Sequence, residues 1–92
     1  MTTTDDWKQT QDDLRAGVYG PWEAVRSMLA EAHSLLHPGM GISSSDTNHM
    51  AYGWVQGHKP LSAEARERAQ KLWDEGDSYA TYAVISGFEV HR

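Results

Sequence analysis

Glycine, proline and serine punctuate this chain at intervals that leave room for short helices and little else. They stand at Gly17, Gly20-Pro21, Pro38-Gly39, Ser43 to Ser45, Gly57, Pro60, Ser62, Gly76 and Gly87. Such residues start helices, stop them or turn the chain. The segments between them are helix-sized, with no repeat, low-complexity block or linker. The expected class is all-α, a compact bundle of four to five short helices. Residues 1–92 form a single helical domain in this reading, with 1–4 and 88–92 as frayed ends.

The apolar residues fit those segments. Asp5 to Ala16 reads as a helix capped by Thr4 and stopped by Gly17, with acidic residues where the helix dipole favours them. Only Trp7, Leu14 and Val18 give it apolar contacts, so it is expected at the periphery. The segment GPWEAVRSMLAEAHSLLHPG starts at Pro21, whose missing N–H costs nothing in a first turn. Trp22, Val25, Met28, Leu29, Ala32, Leu35 and Leu36 then form one stripe, marking the central core helix. A third helix is expected from about Asp46 to Gln56, with Thr47, Met50, Ala51, Trp54 and Val55 inward. Ser62 caps a fourth, whose inner stripe is Leu61, Ala65, Ala69, Leu72 and Trp73. In the tail, Asp77 and Gly87 suit a short helix, whereas Thr81, Val84 and Ile85 suit a strand; helix is favoured.

Ninety-two residues lie near the low end of what closes a core unaided, and no cysteine is present to staple it. Stability therefore rests on apolar burial, and the four Trp, four Tyr and one Phe offer large areas to bury. The polar, acidic start MTTTDDWKQTQDD is no signal peptide, and no apolar run approaches the ~20 residues of a membrane span. A soluble cytoplasmic protein without membrane partner is expected.

No phosphate loop, nucleophile elbow or cysteine nucleophile appears, so the chain is not expected to be an enzyme. His33 and His37 share a helix face, but HSLLH lacks a glutamate base, and no third ligand is placed. They read as surface or boundary histidines, with no metal or other cofactor.

Charge singles out one stretch. The net charge is −5, yet residues 47–73 carry Lys59, Arg66, Arg68 and Lys71 against Glu64 and Glu67. The segments on either side are acidic. The third helix opens this basic island. With its apolar residues turned inward, Asn48, His49, Tyr52 and Gln56 face outward. Asn and Gln can read adenine edges in a major groove. Ser44, Ser45 and Thr47 stand at the helix N-terminus, which favours phosphate. His58 and Lys59 follow its end, within reach of a DNA backbone.

The stretch GWVQGHKPLSAEARERAQKLW resembles the end of the recognition helix and the next helix of Cro/C1-type (XRE-like) helix-turn-helix proteins of bacteria and phages. Trp54, Gly57, Lys59-Pro60 and the Ser62-capped Ala/Glu/Arg helix carry the resemblance, which spans about residues 44–75. It implies a helix-turn-helix-like unit in the bundle and a small sequence-specific transcriptional regulator. Trp54 would lie in the core, with Asn48, His49 and Tyr52 facing bases, Gln56 nearer the rim and Lys59 on a phosphate. It also implies a homodimer on palindromic double-stranded DNA.

The alternative is a small acidic protein-interaction module, or a phage-type effector that binds a host protein without DNA contact. Tyr and Trp are favoured binding anchors. Trp7 and Tyr19 lie outside the main apolar stripes and are the anchor candidates.

Overall fold

Residues 4–87 are described by the computed structural model, with side chains from Trp7 onward. Five α-helices follow one another: α1 (Thr4–Arg15), α2 (Trp22–Leu36), α3 (Ser44–Trp54), α4 (Ala63–Asp74) and α5 (Ser78–Ser86). A single 3-10 turn, Val55–Gly57, extends α3. No strand occurs among the described residues. The all-α class is as expected. Thr4 as a cap, and the frayed ends, fall on residues whose side chains or backbone lie outside the described set.

The helix ends follow from local chemistry. Gly17, at φ +82°, closes α1 in a Schellman motif. The amide of Val18 bonds Asp13 O at 3.1 Å and that of Gly17 bonds Leu14 O at 3.2 Å, which satisfies carbonyls the helix leaves free. The same pair of bonds ends α4, from Asp77 N to Leu72 O and from Gly76 N to Trp73 O. Ser62 caps α4, its Oγ accepting from Ala65 N at 3.1 Å. Before α3 it is Ser43 that caps, accepting from Asp46 N at 3.1 Å. The helix therefore starts at Ser44, two residues before the expected Asp46, and regular α geometry stops at Trp54 rather than Gln56.

The tail is helical. Asp77 Oδ1 caps it by accepting from Ala80 N at 3.2 Å. Thr81, fully buried, donates its hydroxyl to Asp77 O at 2.8 Å. That back-bond removes the cost of a buried hydroxyl and lets a β-branched residue sit inside a helix.

Every helix supplies the core: Leu14 from α1, Ala24, Val25 and Leu29 from α2, Ala51 from α3, Ala69 from α4, and Val84 and Ile85 from α5, joined by Val55. Three alanines, Ala24, Ala51 and Ala69, are completely buried. Small residues at the centre let helices approach closely. Trp22, Trp54 and Trp73 pack around this centre and are only partly buried, so the large aromatics form its margin instead.

Two expectations are corrected here. The α1 helix is not merely peripheral, because Leu14 is 1% exposed. The α2 stripe also runs out of core before it runs out of helix: Ala32 is exposed, and Leu35 and Leu36 are each 77% exposed. The last turn of α2 projects beyond the helices that cover its first three turns. Replacing Leu35 and Leu36 together by Gln should thus shift stability by less than about 1 kcal/mol, the usual range for surface changes. A urea midpoint displaced by an amount typical of core leucines, about 2–5 kcal/mol per residue, would show that they are buried.

Connections position the rest. Residues 37–43 join α2 to α3, which is longer than the three- to four-residue turn of a helix-turn-helix. Gly17 to Pro21 form a tight connection from α1 to α2. Its Val18 carbonyl accepts from Leu61 N at 3.0 Å, and Ala16 O accepts from Arg66 Nη2 at 3.1 Å. These bonds tie the end of α1 to the start of α4. A partly buried pair, Ser27 Oγ with Tyr82 Oη at 2.8 Å, joins α2 to α5.

Nearby, the exposed Tyr79 hydroxyl donates to Glu31 Oε1 at 2.7 Å. This bond, and the carboxylate charge beside it, raise the Tyr79 pKa above the usual tyrosine value. The folded state thus holds this proton more tightly than the unfolded chain. Any stability it gives is present below the ordinary tyrosine pKa and is lost as pH rises through the folded value. A phenolate-absorbance titration should lose a step above the ordinary tyrosine range in Tyr79→Phe, and Glu31→Gln should bring that step down. An unchanged titration in both variants would refute the coupling.

Candidate functional site

The α1 helix lies against α3, and the contact is aromatic. Trp7 meets Tyr52 edge to face, with ring centroids 4.8 Å apart at 87°. It also meets His49 at 6.1 Å and 74°. His49 and Tyr52, three residues apart on α3, meet at 6.0 Å and 87°. Edge-to-face rings at these distances attract each other beyond their area burial.

These rings line the floor and one wall of an open cleft of about 700 Å³, completed by Gln9, Thr10, Gly53 and Gln56. Among the described residues, no Lys, Arg, Asp or Glu lines it. Trp7 is 44% exposed despite its contacts, so part of the indole faces solvent. Gly53 brings backbone, not side chain, to the cleft wall, and nothing lies within 4 Å of where a Cβ would stand.

The amides in the cleft are oriented by their own helices. Gln9 Nε2 donates to Asp13 Oδ1 at 2.9 Å, and Gln56 Nε2 donates to Tyr52 O at 3.4 Å. Each NH₂ spends one of its two N–H donors on its own helix, so each amide keeps its carbonyl acceptor and one N–H donor to meet a ligand.

The residues singled out from the sequence divide into three places. His49, Tyr52 and Gln56 come together in the cleft. Ser44 and Ser45 are exposed at the start of α3, roughly 6–8 Å before His49 by helical rise. Lys59 is exposed beyond the 3-10 turn, and His58 stacks on Trp54 at 4.1 Å, its Nδ1 2.8 Å from Trp54 O. Two residues are less available than their spacing implied. Thr47 is buried and donates its hydroxyl to Ser43 O at 3.0 Å, so that hydroxyl is turned inward. Asn48 is half-buried, with Oδ1 sealed from solvent and without a hydrogen-bond partner.

Gln9, Thr10 and Gly53 were not legible as site residues, since nothing in their spacing announces that α1 docks on α3. Trp7, an anchor candidate by composition, is at the centre of the cleft. Tyr19, the other, is half-buried and packs against the core, 6.1 Å from the Trp54 ring.

A second surface feature lies at the far end of α2. Leu35, Leu36 and Met40 are exposed there. His33 and His37 meet at 4.9 Å and 43°, but the described residues hold no group of three potential metal ligands. No described helix is long and apolar enough to cross a membrane. Comparison of the chain with protein-family models, curated proteins and solved structures finds no match.

Proposed function

We propose that this protein is a small protein-interaction module that binds its partner through the α1–α3 cleft. One observation carries the reading: a solvent-open cleft lined by Trp7, His49 and Tyr52, with no charged residue among its described lining residues. Partly exposed Trp and Tyr are the side chains that most often anchor protein interfaces. The exposed Leu35, Leu36 and Met40 add an apolar surface of the kind that marks contact sites.

Sequence-specific DNA binding is the second reading. It is favoured by Ser44 and Ser45, exposed at the start of α3, and by Lys59, exposed past its end. The electrostatics weigh against it. Phosphate neutralisation dominates DNA affinity, and α3 carries Asp46 but no Lys or Arg. The α1 helix also lies over the His49–Tyr52 side of the face that would enter a groove. A DNA-binding dimer would use the apolar end of α2 as its candidate contact.

Parallel selections separate the two. A displayed random-peptide library and a random duplex DNA pool are each presented to the wild type, Tyr52→Ala and Lys59→Glu. The expected result is a peptide motif that is lost with Tyr52→Ala and kept with Lys59→Glu, and no DNA enrichment at low salt. A DNA motif lost with Lys59→Glu would overturn the interaction reading.

A further inference from the structure

The three rings of the cleft stand close to mutually perpendicular, so they present different faces and edges to one small volume. Their centroid separations of 4.8, 6.0 and 6.1 Å define a tight triangle. A point up to about 5 Å above its centre still lies within the ~6 Å at which a cation is attracted to an aromatic ring. A cation seated there is within that distance of both the Trp7 and the Tyr52 ring.

The polar groups match the same ligand. The Gln9 and Gln56 amides each spend one N–H on their own helix and keep a carbonyl acceptor. Acceptors suit a ligand rich in donors. The guanidinium of arginine offers five N–H donors in a plane, and that plane also stacks on aromatic faces.

Charge agrees. The α1 sequence carries four aspartates against Lys8 and Arg15, and α3 carries Asp46 alone. Both helices are thus net negative, no cation stands among the described lining residues, and the whole chain has a net charge of −5. That field draws cationic partners and disfavours anionic ones.

We infer that the α1–α3 cleft receives an arginine side chain from a basic segment of the partner protein. This rests on the interaction reading above and names the chemistry of its anchor. The guanidinium lies over the Trp7 and Tyr52 rings, and its N–H groups reach the Gln9 and Gln56 carbonyls. A carboxylate or phosphate finds no cation among the described lining residues.

The test is a two-dimensional NMR titration of the wild-type protein with a short Gly/Ser peptide carrying one central arginine. The matched peptide carries citrulline, which keeps shape and most donors but has no charge. A glutamate peptide is the third ligand. The expected result is saturable shifts at Trp7, His49, Tyr52 and Gln56 with the arginine peptide, at least tenfold weaker binding of citrulline and none of glutamate. Tyr52→Ala should weaken arginine binding at least tenfold, with the remaining spectrum unchanged. Equal binding of arginine and citrulline would overturn the cationic anchor and leave the interaction reading standing. If no arginine peptide shifts the cleft while peptides selected from the library do, the anchor is refuted alone. If no peptide of either kind binds, both fall.

Discussion

Gly20→Ala should be among the most damaging single-methyl changes in the protein. Gly20 has φ +114° and is buried, a backbone conformation that costs an L residue about 1–3 kcal/mol. A Cβ there would stand 2.7 Å from Ile85 Cγ1, 3.1 Å from Ile85 Cδ1 and 3.6 Å from Leu61 Cδ1. Ile85 is itself 3% exposed, so it has little room to retreat, and overpacking of this kind typically costs about 1–3 kcal/mol. The two costs add to a loss of about 2–6 kcal/mol. For a domain of this size that is a drop in Tm on the order of 10 °C or more. Gly53→Ala is the internal control. It lies within α3, at negative φ, with nothing within 4 Å of the new methyl, and should stabilise by roughly 0.5–1 kcal/mol. Thermal unfolding of both variants is the measurement. A Gly20→Ala protein as stable as wild type would mean that the 17–21 connection does not pass against α5 as described.

Leu14→Ala should cost a similar amount for a different reason. Among the described residues, Leu14 is the one α1 side chain in the buried core, and truncating a fully buried leucine costs about 2–5 kcal/mol. The rest of the inner face of α1 is held by the Trp7 contacts with His49 and Tyr52 and by the Schellman turn at Gly17. Removing the leucine should therefore loosen α1 before anything else. The expected result is a urea midpoint lowered by about 3 kcal/mol in stability, with α1 amides exchanging hydrogen faster than those of α4 and α5. A loss below about 1 kcal/mol would show that α1 is an appendage and that the cleft lacks a fixed wall.

These two residues mark where the sequence is readable and where it is not. Local signals were sufficient for the helices: Ser62, Asp77, Gly17, Gly76 and Pro21 act within a few residues, and each element they delimit is present. Even the ambiguous tail resolves locally, through the Asp77 cap and the Thr81 back-bond. What periodicity does not carry is the partner of each face. The Leu35–Leu36 end of the α2 stripe has the right spacing for a core but no helix to meet it. Gly20 looks like ordinary punctuation until Ile85, far along the chain, packs against it. The cleft was half legible. His49, Tyr52 and Gln56 follow from the helical spacing of α3, whereas Gln9, Thr10 and the role of Trp7 depend on where α1 docks. Thr47 shows the reverse, a residue placed at a helix start by counting whose hydroxyl the fold turns inward.

The sharing of the cleft between two helices makes its affinity a reporter of folding. A ligand that touches both Trp7 and Tyr52 is bound fully only when α1 is docked. Its apparent affinity is then the intrinsic one reduced by the docked fraction. Leu14, which touches no ligand, would set that fraction and so set the binding strength from a distance. Linkage requires the converse: ligand at a hundred times its Kd would hold α1 closed by about 2.7 kcal/mol. The same buried leucine and the same open indole are thus two handles on one equilibrium, and a partner that fills the cleft also completes the fold.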